Sequence, residues 1–208
     1  VKAAPAAGRL LAFEGLDGCG KSTQLLRLAR RLEAAGVRVR ALREPGGTEL
    51  GEAVRDLLLR GGAIGPQAEM LLYMAARAEL YERSVLPALA AGETVLLDRS
   101  QYSTAAYQGA GLGLPVEDIL ALADKVVRGR WPDRVLVLDL PPELARARLP
   151  AGKDRIERRD ADYFARVAAG FRALVAREPA RLRLLDARGT PEEVAARVAA
   201  ALADVVSV

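Results

Sequence analysis

The chain has 208 residues, 51% hydrophobic and 28% charged, with a net charge of +4, which is long enough for one α/β domain with a full core and short for two. Its single cysteine, Cys19, excludes an intramolecular disulfide or a cysteine-built metal cluster and fits a reducing cytoplasm, while the absence of histidine leaves any general-base work to carboxylates or water. Acidic residues are interspersed with basic ones and no run reaches the roughly 20 apolar residues of a membrane span, so neither nucleic acid nor a membrane is an expected partner, and the expected location is cytoplasmic.

Residues 1–8 read as a flexible tail without the apolar centre of a signal peptide, ahead of a single domain spanning 9–208. Residues 9–14 are an apolar run, read as a buried parallel strand. A glycine-rich turn follows, and residues 21–35 place Leu25, Leu28, Ala29 and Leu32 on a helical stripe closed by Gly36. Residues 37–42 alternate as a second strand and 43–48 break it. Helices are predicted over 49–59 and 67–90, a strand over 94–98, a short helix near 103–108 and another over 115–127. Residues 134–140 form a fourth strand and 142–149 a helix. An irregular polar stretch at 150–155 suits a lid, placed near 150–160. A helix over 163–177 and a strand over 181–186 come next, and Thr190 with Glu193 opens the last helix as a capping box. Strands alternating with helices throughout, with no internal repeat, predict an α/β three-layer P-loop fold, a five-stranded parallel sheet flanked by helices.

Gly15, Leu16, Asp17, Gly18, Cys19, Gly20, Lys21, Ser22 and Thr23 satisfy G-x-x-x-x-G-K-[ST] at every fixed position, between a strand and a helix. The glycines allow successive N–H groups to turn inward and the helix adds its positive dipole end, so the stretch is a cradle for a polyphosphate such as ATP. In that cradle Lys21 reaches the β- and γ-phosphates and the Ser22 hydroxyl meets Mg²⁺. Further polar clusters fall on the same side: residues 43–48, Asp98 with Arg99, and the arginines of 146–159. Arginines around a phosphate loop suit phosphoryl transfer between two anionic substrates, where charge on the moving group needs placed cations more than proton transfer. Plainer readings stand beside these. Arg99 can be a surface partner of Asp98, Tyr73 can be ordinary core, and Arg146, Arg148, Arg155, Arg158 and Arg159 can be solvated helix faces.

Taken together, residues 13–23, 43–48, Ala76 with Arg77, Asp98 to Ser100, 103–109 and Asp154 to Glu157 resemble the bacterial thymidylate kinases, in the family's order over nearly the whole chain. The resemblance implies ATP + dTMP → ADP + dTDP with Mg²⁺ held at Ser22 and Asp98, usually in a homodimer. It implies that Asp17 approaches the dTMP sugar and phosphate, that Arg99 holds the acceptor phosphate, and that Pro45 lines the acceptor side. Tyr73 matches the aromatic that stacks on thymine, and Arg77, one helical turn on, the donor to a base carbonyl. Thr104, Tyr107 and Gln108 match positions near the base edge and the sugar 2′ carbon. Some members carry a basic residue in the loop where this chain has Gly18. The compensating cation is then expected from the lid, as Arg155, and Arg148 is expected on adenine. Another nucleoside or nucleotide kinase of the same fold, differing only in acceptor, is the nearest alternative. A GTP-binding switch is the more distant one, and it needs an N-K-x-D motif that a chain without asparagine cannot contain.

Overall fold

The computed structural model describes residues 8–149 and 154–206. Most of the expected tail, and residues 150–153 of the expected lid, therefore lie outside the described residues. Gly8 already belongs to the fold: it is buried and donates its N–H to the Leu89 carbonyl.

Five strands form one all-parallel sheet among the described residues, in the order β2-β3-β1-β4-β5. They are β1 (Leu10–Glu14), β2 (Val39–Arg43), β3 (Thr94–Asp98), β4 (Arg134–Asp139) and β5 (Leu182–Asp186). The central strands β1, β3 and β4 are continuous apolar runs because both of their faces are covered. The edge strands β2 and β5 are half exposed and carry arginine on their open side, which discourages pairing with another sheet. Helices α1 (Lys21–Ala34) and α9 (Pro191–Leu202) pack together against β-strands on one face, and α8 (Ala161–Arg177) packs with residues 101–111 against the other. The chain crosses from one side of β1 to the other between β3 and β4, which opens a crevice at the carboxyl ends of β1 and β3. No helix is long and apolar enough to cross a membrane, among the described residues.

The remaining helices depart from expectation in two places. The helix expected over 67–90 is α3 (Pro66–Leu80), a wider π-helical turn over Tyr81–Val85, and α4 (Leu86–Ala90). Pro87 lacks an N–H and its ring would press on the carbonyl four residues back, and the wide turn, closed by Leu86 N–H to the Tyr81 carbonyl, absorbs this. The short helix expected at 103–108 is longer: α5 (Gln101–Thr104) continues into a π-helical stretch over Ala105–Gly111. Elsewhere the differences are confined to ends. α2 (Glu49–Arg60), α6 (Val116–Val126) and α7 (Pro142–Ala147) lie where predicted, α8 begins at Ala161 because Asp160 caps it, accepting from Tyr163 N–H at 2.7 Å, and the Thr190–Glu193 capping box is present.

Candidate active site

β1 is fully buried and paired on both sides, so it delivers Gly15 to the sheet edge in a fixed register. The loop then turns at positive φ, with Gly15 at 128°, Gly18 at 83° and Gly20 at 101°. A Cβ on Gly18 would stand 2.2 Å from the Ala145 carbonyl oxygen and one on Gly15 2.5 Å from that of Leu138, so close approach demands glycine independently of φ. Leu16 and Cys19 are buried and anchor the loop in the core. α1 starts with no side-chain cap and no acidic residue in its first turn, leaving the N–H groups of Lys21, Ser22 and Thr23 for an anion. Lys21 folds inside the loop and donates from Nζ to the carbonyls of Leu16 at 2.9 Å and Gly15 at 3.2 Å.

Arg99 stands at the border between this loop and a second cleft. Its φ of 74° is left-handed, a conformation that costs a non-glycine residue about 1–3 kcal/mol. Several contacts over-determine it. Its N–H bonds the Phe13 carbonyl at 2.9 Å, Nη1 donates to Ser103 Oγ at 2.9 Å, and Nη2 donates to Asp17 Oδ1 at 2.5 Å and Tyr107 Oη at 3.3 Å. The guanidinium also lies over the Tyr107 ring, 4.9 Å from its centre. Arg99 is thus not a surface partner of Asp98; it pairs with Asp17. Burial pushes the Asp17 carboxyl up, but the charges of Arg99 and Lys21 and hydrogen bonds from Arg99 and Tyr107 outweigh it and bring it down to about 2. Asp17 therefore stays ionised near neutrality and acts as an acceptor only.

Behind Arg99, the wholly buried Glu14 accepts from the N–H and hydroxyl of Ser100 at 2.7 and 2.8 Å, and from those of Ser103 at 3.0 and 2.5 Å. Burial keeps its carboxyl above the usual range, against Arg99 and these hydrogen bonds. This carboxylate shapes the turn that presents Arg99.

The second cleft is lined by Asp17, Pro45, Tyr73, Arg77, Arg99, Thr104, Tyr107 and Gln108, which brings together the whole set expected on the acceptor side. Tyr73 and Arg77 project from one face of α3. Arg77 is 2% exposed and Glu44 4%, and Arg77 Nε donates to Glu44 Oε2 at 2.6 Å while Nη2 donates to Thr104 Oγ1 at 3.1 Å. The π-helical stretch carries Tyr107 and Gln108 to the same wall as Thr104. Tyr107 also packs edge-on against Tyr163 and Phe171.

A separate open cavity lies on the other side of the loop, lined by Gly18, Gly20, Ser22, Thr23 and Arg148 together with Gly189 and Pro191. Ser22 Oγ donates to Asp98 Oδ2 at 2.5 Å, where the end of β3 meets the start of α1. A hydroxyl and a carboxylate are the hard oxygen donors that Mg²⁺ takes when phosphates and water complete its shell.

Arg155 is not brought to the loop. Its N–H and Nε donate to the Leu59 and Leu58 carbonyls, at 3.1 and 2.8 Å, at the end of α2, and Nη2 lies 2.7 Å from Glu69 Oε2. The carbonyl-rich end of a helix and a buried carboxylate make a good cation site, and they hold this side chain away from Lys21.

Sequence reasoning passed over Glu14, Glu44, Arg55 and Glu69. Arg55 lines the second cleft and donates from Nη1 to the Pro45 carbonyl at 3.1 Å. Its signal was an arginine beside the buried Gly51, Val54 and Leu58 stripe of α2. Glu69 had one too, standing four residues before Tyr73 and eight before Arg77.

Comparison with known proteins bears on this arrangement. The sequence profile of the family described as thymidylate kinase matches residues 13–198. The thymidylate kinase of Synechococcus sp. (strain JA-3-3Ab) is 47% identical over 188 residues, covering 90% of this chain and 92% of that protein. That of Rhizorhabdus wittichii is 45% identical over 205 residues, covering 96% and 99%. The crystal structure of thymidylate kinase from Ehrlichia chaffeensis is similar in fold, with a TM-score of 0.79 at 31% identity over 95% of this chain and 99% of that one.

Proposed function

The chain belongs to the thymidylate kinase family, and we propose how its residues divide the work of transferring the γ-phosphoryl group of ATP to dTMP, giving dTDP and ADP. The observation that carries the division is the pair Asp17 and Arg99, which separates a polyphosphate loop on one side from a cation-lined cleft on the other.

ATP is the phosphate donor. Its phosphates take the N–H groups of residues 15–23, with Lys21 exchanging its carbonyl partners for phosphate oxygens, and its base lies by Arg148. Ser22 and Asp98 hold Mg²⁺, which offsets charge on the phosphates when bound. On the acceptor side Tyr73 stacks on thymine, Arg77 donates to a base carbonyl, and Thr104 and Gln108 complete the base edge. The Tyr107 ring closes off the sugar 2′ carbon, and Pro45 covers the wall opposite. Asp17 accepts from a sugar hydroxyl, and Arg99, with Arg55 as a further cation, holds the dTMP phosphate in line. That phosphate is already anionic, so the transfer needs no general base, in keeping with a chain that has no histidine. Arg155 supplies a cation to the transferring group after leaving Glu69. The domain begins at Gly8, with its lid near 150–160. The enzyme works as a cytoplasmic homodimer, for which Leu50 and Leu57 of α2 and Leu71 of α3, all about half exposed, offer apolar surface.

The test is ADP release from Mg-ATP with a panel of nucleoside monophosphates. Turnover is expected to be fastest with dTMP; preference for a different monophosphate, or nucleotide binding without transfer to any of them, would refute the assignment of the cleft.

A further inference from the structure

Glu69 is wholly buried on α3, on the same face as Tyr73 and Arg77, yet it does not itself line the cleft. Gln108 Nε2 donates to its Oε1 at 2.7 Å, and Oε2 receives Arg159 Nη2 at 2.7 Å with Arg155 Nη2 equally near. Paired with the Arg159 and Arg155 guanidiniums, this carboxylate presents acceptor oxygens to its neighbours. The end of the Gln108 amide turned towards it must therefore be the NH₂, whichever way an amide of that shape is drawn. Gln108 keeps its carbonyl oxygen and the second N–H of its NH₂, and the carbonyl is the acceptor it can offer the cleft.

We propose that Glu69 is a positioning residue for base selection: by fixing the Gln108 amide, it makes the cleft present an acceptor, Gln108 Oε1, beside a donor, Arg77. This rests on the reading of the cleft given above. A pyrimidine with a carbonyl at position 4 and N–H at position 3 matches that order. One with an amino group at 4 and a bare nitrogen at 3 meets donor with donor and acceptor with acceptor. Thymine and 5-methylcytosine share ring and methyl group, so shape alone does not separate them, whereas hydrogen-bond polarity does. In Glu69→Gln the new amide can donate to Gln108, which is then free to turn over and accept either base.

The experiment measures kcat/KM for dTMP and for 5-methyl-dCMP with Mg-ATP, using the full chain and three variants. The ratio of the two should fall by about tenfold or more in Glu69→Gln and in Gln108→Leu, since a mismatched buried polar group is what enforces the choice. Arg159→Lys keeps a cation beside Glu69 without touching Gln108 and should keep the wild-type ratio. An unchanged ratio in Glu69→Gln or in Gln108→Leu would overturn the proposal, as would an equal fall in Arg159→Lys, which signals general loosening. If Glu69→Gln does not fold, the other two variants decide. A wild-type enzyme that phosphorylates neither nucleotide would instead refute the reading of the cleft.

Discussion

Replacing Arg77 by alanine isolates the strongest charge pairing in the acceptor wall. Arg77 and Glu44 meet at 2.6 Å with side chains 1% and 4% exposed, so removing the cation strands a carboxylate that has almost no water. Breaking a buried pair from one side costs about 3–5 kcal/mol. An unfolding entropy of ~2.1 cal/mol/K per residue gives ~0.44 kcal/mol/K over 208 residues, so Tm should fall by about 7–11 °C. The apolar double variant Glu44→Leu with Arg77→Met should recover much of that loss, because it leaves no charge behind. The deficit should also depend on pH. Burial holds the Glu44 carboxyl above its usual range even against Arg77, and without Arg77 it must rise further. The folded state then binds a proton that the unfolded state releases, so stability is kept in acid and lost as pH rises through the folded value. Calorimetry across pH on the wild type, both single variants and the double variant tests this. Single variants within about 2 °C of wild type, or a deficit that grows in acid, would refute the reasoning.

Lys21→Ala should lower kcat by roughly 10²-fold or more while changing Tm far less, because the lysine's partners, the Gly15 and Leu16 carbonyls, Cys19 and Asp17, all belong to the loop itself; steady-state kinetics with a melting curve checks both. Arg155→Ala should lower kcat by about 10³-fold with little change in the dTMP KM, and Arg155→Lys should recover only part. If Arg155 serves solely as the tie to α2, both variants will keep kcat. Tyr107→Phe should keep the preference for dTMP over its ribo analogue, since the ring remains, while Tyr107→Ala should narrow it; equal preference in all three proteins removes the ring as discriminator. Asp17→Asn should lose the stabilisation that wild type gains above the ordinary value of 3.8 and gives up as pH falls through about 2. The Tm gap between the two proteins should therefore close across that window, and a gap that widens in acid contradicts the sign.

The phosphate loop was legible because its requirements are contiguous: three glycines, a lysine and a hydroxyl within nine residues, between a strand and a helix. The alternation of apolar runs and helical stripes carried the parallel sheet in the same way, since strands buried on both faces must be apolar throughout. The resemblance extended that reach to the acceptor side, and the cleft does gather Asp17, Pro45, Tyr73, Arg77, Arg99, Thr104, Tyr107 and Gln108. Tertiary structure decided what depends on distant partners. Glu14 reads as the end of a strand until the turn 86 residues later closes on it, and Arg77 acquires its carboxylate from 33 residues away. The wide turn before Pro87 answers to a backbone clash that periodicity does not register. Arg155 shows the limit most plainly. Its sequence neighbours are those of a solvated lid, but its position is set by the carbonyls ending α2 and by Glu69. A charge goes where buried countercharge and unpaired carbonyls await it, and that is a property of the packed chain.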